Sequence, residues 1–128
     1  MQDSEFSAPR TLLLEVFAEK VKSTLAQAGI GISATADPSL SVGAYVEVDD
    51  AGEGPLEVFV GWRVHADLYR HFTSLEPAKL RDDERVKVKR HAETVMRQAV
   101  ASILEFSGFS VLEAKGEHAG QLRVIERP

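Results

Sequence analysis

Cysteine is absent from the 128 residues, which rules out disulfide staples and thiolate metal sites and agrees with a reducing compartment. No apolar run approaches the roughly 18 residues a membrane-spanning helix needs. The opening Met1-Gln2-Asp3-Ser4-Glu5 lacks the basic start and apolar core of a secretory signal, so a cytoplasmic location and no membrane contact are expected. Positive charge is short as well: a net charge of −5 argues against a large phosphate-binding surface. The glycine pairs Gly29/Gly31, Gly52/Gly54 and Gly116/Gly120 form neither a GxGxxG nor a phosphate loop closing on Lys-Ser/Thr, and they read as caps and turns. No low-complexity segment is present, and no repeat beyond two hairpins.

What is there is the composition of a soluble globular protein, 44% hydrophobic and 27% charged. The length suits one core, so a single domain over residues 9–128 is expected behind a polar N-terminal tail, 1–8. Charge is unevenly spread. Residues 1–60 carry ten acids against three bases, and residues 61–97 carry six acids against nine bases.

The chain is organised around Leu40 to Val64. Leu40, Val42, Ala44, Val46 and Val48, then Leu56, Val58, Val60, Trp62 and Val64, fall on alternate positions and place ten apolar side chains on one sheet face. Asp49-Asp50-Ala51-Gly52-Glu53-Gly54-Pro55 between them reads as a long polar hairpin loop. Closing the loop with Val48 opposite Leu56 would set Tyr45 against Phe59 and Gly43 against Gly61. A loop this long fixes the facing better than the register.

On either side lie helices. Ser7 and Pro9 signal the start of a helix that runs to Ala28 before Gly29, with Leu13 or Leu14, Phe17, Val21, Leu25 and Ala28 as its buried stripe. Leu68 and Phe72 mark a short helix after Val64. A long helix begins between Pro77 and Asp83 and ends at Ser107 before Gly108, with Val88, Ala92, Val95, Met96, Ala99, Val100, Ile103 and Leu104 as its expected stripe. Trp62 is expected beneath it, near Val95 or Ala99. Phe109–Ala114 and Leu122–Glu126 form a second hairpin, and Ala114 opposite Leu122 gives a plausible register. The order α-β-β-(short α)-α-β-β indicates an α+β fold: a two-layer, four-stranded antiparallel sheet with two long helices on one face.

Three constellations bear on function. His65, Asp67, Tyr69 and His71 offer histidine and carboxylate together, but only Asp67 and His71, four apart, share a helical face, which suits a surface ion pair better than a small enzyme or ligand site. His91 and His118 look isolated, and neither a metal nor a cofactor is expected. Arg85, Lys87, Lys89, Arg90 and Arg97 make a basic helix surface that could meet nucleic acid, yet Glu93 is spaced to pair with Lys89 and Arg97, and no aromatic interleaving offers a stacking platform.

The third is the far face of the sheet. Gly43, Tyr45, Phe59, Gly61 and Arg63 from the first hairpin would join Phe109, Val111 and Ile125 from the second, with Glu47 and Arg63 as a polar rim. So many apolar side chains call for a cover. Residues 65–76 or Phe6 could supply it from within the chain. The favoured expectation is a non-enzymatic protein-interaction domain that forms a homodimer through this face, with nucleic acid the less favoured partner.

Overall fold

A computed structural model of the protein describes residues 9–35, 37–49 and 54–127. The expected tail, 1–8, and the middle of the first hairpin loop lie outside the described residues. Helix α1 (Arg10–Gln27) leads into strands β1 (Gly43–Val48) and β2 (Glu57–Arg63). Helices α2 (Ala66–Ser74), α3 (Pro77–Leu80) and α4 (Glu84–Phe106) follow, then β3 (Ser110–Glu113), a 3-10 turn (Gly116–His118) and β4 (Leu122–Ile125). The four strands form one antiparallel sheet in the order β1-β2-β4-β3, so the two hairpins join through β2 and β4. The α+β fold with helices packed on an antiparallel sheet is the one the element order indicates. No helix among the described residues is long and apolar enough to cross a membrane.

Both long helices stop in the same way. The N–H of Ile30 reaches back to the Leu25 carbonyl and that of Phe109 to the Leu104 carbonyl, closing a turn whose left-handed residue is Gly29 (φ 90°) or Gly108 (φ 102°). At its start, α4 is capped by Asp83, whose carboxylate accepts from the Val86 N–H. That capping residue separates α4 from the single turn of α3, which begins with Pro77.

The core lies between the sheet and the helices. Phe17, Val21 and Leu25 of α1 and Val100 and Leu104 of α4 meet Val58, Val60, Leu122 and Val124 of the central strands. Each such side chain contributes ~1.5–3 kcal/mol when fully buried. Trp62 faces this layer, half-buried against the core. The expected stripe of α4 is corrected: Val86, Val100 and Leu104 are buried, whereas Val88 and Val95 are exposed. On α4, Trp62 shares grooves with Lys89, Glu93 and Arg97.

The hairpin registers differ from expectation in two ways. In the first, Val48 pairs with Val58, Tyr45 with Gly61 and Glu47 with Phe59. The pairing is shifted by two residues, which leaves every side chain on its expected face. In the second, Val111 pairs with Val124 and Leu112 with Arg123, a shift of one residue. One residue turns a strand over. Val111 packs against the core, and Phe109 is buried there with its ring 5.8 Å from that of Phe17. Both leave the outer face to which the sequence assigned them, while Leu112 takes an exposed place on it.

Candidate functional site on the outer sheet face

The outer face carries Tyr45 and Glu47 from β1, Glu57, Phe59, Gly61 and Arg63 from β2, and Arg123 and Ile125 from β4. Gln121 lies just before β4, and the 3-10 turn ahead of it folds back over this face. Gly61 has no side chain, and the Tyr45 ring occupies the space its Cβ would fill. The ring stacks under the Arg63 guanidinium at 4.2 Å, and Arg63 also donates to Ser33 Oγ and the Thr35 carbonyl.

His118 lies flat on Phe59, with the ring centroids 3.7 Å apart and the planes within 4° of parallel. Its Nδ1 is 2.8 Å from Gln121 Oε1 and its Nε2 is 2.9 Å from Asp49 Oδ2. The Gln121 amide is oriented by its other end, where Nε2 donates to Tyr45 Oη at 3.1 Å and to the Glu47 carboxylate. A neighbouring ion pair joins Arg123 to Glu57. The Asp49 carboxylate beside Nε2, helped by Gln121, raises the His118 pKa above its ordinary value against an opposing effect of burial.

The cover over Phe59 is thus the β3–β4 turn. It is not residues 65–76, whose helix α2 packs against α4; the other expected cover, Phe6, lies outside the described residues. Phe59 is only 9% exposed, and Leu112 at 49% is the large exposed apolar side chain left on this face by β3. A groove of about 530 Å³ beside them is lined by Phe59, Leu112, Glu113, Lys115, His118 and Arg123.

The other candidates disperse. His65 caps α2 by accepting from the Asp67 N–H, and Asp67 pairs with Arg70 rather than with His71. His71 instead meets Asp83 at 2.8 Å, tying α2 to the cap of α4. Tyr69 lines a separate groove of about 240 Å³ with Trp62, Tyr45 and Lys89. Of the basic residues, Lys89 lies over the Phe72 ring and pairs with Glu93, Arg97 donates to the Gly120 carbonyl, and Lys87 pairs with Glu84. Arg85 and Arg90 extend from exposed positions. The five do not share one face.

His118, Gln121 and Asp49 are the residues that sequence reasoning missed. A local signal did exist, since His118 lies between Gly116 and Gly120 and Gln121, three residues on, directly follows that turn. Comparison with protein-family models, curated proteins and solved structures finds no match.

Proposed function

We propose that the chain is a self-associating protein-interaction domain whose second copy docks on the solvent side of α4. The carrying observation is where the exposed apolar side chains lie. Val88, Val95 and Phe106 are 56%, 44% and 96% exposed. They sit roughly 150° around the helix from the buried Val86, Val100 and Leu104 at 3.6 residues per turn. With Ala92, Ala99 and Ser102 they follow the alternating four- and three-residue spacing of a helix-pairing seam.

The outer sheet face suits this role less well than the sequence suggested. Phe109 and Val111 face the core, and Phe59 lies under His118. What remains of that face is largely hydrogen-bonded or ion-paired.

The seam is symmetric about Arg97. Two copies of α4 laid antiparallel bring Val88 against Phe106, Ala92 against Ser102 and Val95 against Ala99. The same arrangement sets Glu105 of one copy beside Lys87 of the other, so opposite charges flank the seam. Alanines near its middle allow close approach of the two backbones. A two-fold pair is the commonest way for a chain to bury such a stripe.

Light scattering tests the proposal. The expected mass is twice the 14.0 kDa of one chain. Val95→Glu with Phe106→Glu, both at exposed positions, should give a folded monomer, while Leu112→Asp on the sheet face should leave the dimer intact. A wild-type monomer at high micromolar concentration would overturn self-association, and a dimer broken by Leu112→Asp alone would return the interface to the sheet.

A further inference from the structure

The His118 ring is held by a partner at each of its nitrogens. Gln121 uses its amide nitrogen for Tyr45 and Glu47, so its oxygen faces His118 Nδ1 and that nitrogen must carry a hydrogen. The assignment follows from the hydrogen-bond network. The other ring nitrogen, Nε2, faces the Asp49 carboxylate at 2.9 Å.

A third donor is present. Asp49, Glu117 and His118 each offer a ligating atom, and these atoms all lie within 4.8 Å of one another. From these placements we infer a binding site for a divalent first-row metal cation such as Zn²⁺, held by His118 Nε2 and the carboxylates of Asp49 and Glu117. Imidazole with two carboxylates is a donor set such ions accept. Ligating histidines generally donate their other ring N–H to a fixed acceptor, the part Gln121 plays here, and the stack on Phe59 holds the ring plane. Zn–N and Zn–O bonds of about 2.0–2.2 Å in tetrahedral geometry put ligand atoms about 3.3–3.6 Å apart, so Nε2 and Oδ2, now 2.9 Å apart, must separate by about half an ångström while the Glu117 carboxylate closes in. The ion takes the place of the Nε2 proton, which leaves to solvent. Three protein ligands leave a fourth position for water.

The experiment is calorimetric titration of the chelator-treated full chain with zinc chloride, read beside the chemical shifts of the His118 ring. One ion per chain is expected, with the Nε2 side of His118 perturbed. Glu117→Gln, at an exposed turn position, should weaken binding at least tenfold with the fold intact. Gln121→Leu, which cannot accept from Nδ1, should weaken it about 10- to 100-fold. Glu15→Gln, at an exposed position of α1, should change nothing. Absence of heat and of ring shifts up to millimolar zinc would overturn the site. Binding that survives both Glu117→Gln and Asp49→Asn would overturn it too, because the ion would then be held elsewhere.

Discussion

Gly61→Ala offers a test of the outer face in which the sign of the effect carries the information. Gly61 has a negative-φ strand conformation that alanine adopts freely, so the substitution alone should stabilise by about 0.4–1 kcal/mol through the unfolded chain. The nearest atoms to the added Cβ all belong to the Tyr45 ring, which must leave. Leaving removes the stack on Arg63, worth ~1 kcal/mol at a partly exposed site. It also removes the Gln121–Tyr45 hydrogen bond, worth a further ~1 kcal/mol. The net loss is roughly 1–1.5 kcal/mol, which in urea lowers the midpoint by about 0.5–1 M at the slopes usual for small domains. In a Tyr45→Ala background the ring is absent and the same substitution should raise the midpoint. A double-mutant cycle in urea therefore expects a coupling of about 2 kcal/mol with a reversal of sign. Additive behaviour, or stabilisation by Gly61→Ala in the wild-type chain, would refute the placement of Tyr45 across Gly61.

At Gly43, with φ 113°, an added Cβ would enter the Gly31 carbonyl, and that segment is held by the bonds Ala44 N–H to Gly31 O and Ser33 N–H to Ala44 O. Gly43→Ala should cost more than about 2 kcal/mol, and a thermal midpoint unchanged from wild type would contradict this. Asp83 supplies the pH dependence: the Val86 N–H above all, with His71, holds its carboxyl below the ordinary carboxylate value of 3.8. A depressed folded pKa adds stability that is present above the unfolded value and is lost as pH falls through the folded one. Asp83→Asn keeps a capping acceptor without a titrating group, so wild type should lead it in thermal midpoint at pH 7, with the lead shrinking below about pH 4. A lead that stays constant to pH 2.5 would contradict the assignment.

The parts of the fold legible in the sequence are those set by local chemistry. Gly29 and Gly108 end helices because the chain needs a left-handed residue there. The alternation from Ala44 to Val48 and from Val58 to Trp62 specifies a face without a partner, since a two-residue register shift preserves it. The second hairpin offers no such protection. Phe109-Ser110-Val111-Leu112-Glu113-Ala114 carries apolar residues on both parities, so alternation cannot choose between a Phe109/Val111 core and a Leu112/Ala114 core. Docking of Phe109 on Phe17 makes the choice, and that contact depends on α1. Helix α4 is ambiguous in the same sense. It has apolar side chains on two sides, and a period of 3.6 finds both without saying which one meets the sheet.

The site was hidden for a topological reason. Asp49 and His118 are 69 positions apart, and strand pairing alone does not bring them together. Glu57, at the start of β2, pairs with Ile125, so the first hairpin loop lies at the end of the sheet where β4 finishes. The β3–β4 turn precedes Leu122, the partner of Val60, and lies towards the opposite end. The two turns should be apart. They meet because the 3-10 turn at Gly116–His118 bends back across the outer face, laying His118 on Phe59 instead of extending the hairpin outward. Gln121 makes that bend specific, since it pairs with His118 locally and with Tyr45 and Glu47 across the sheet. A sequence pattern records the local half of such an arrangement, and the other half exists only once β2 has paired with both β1 and β4.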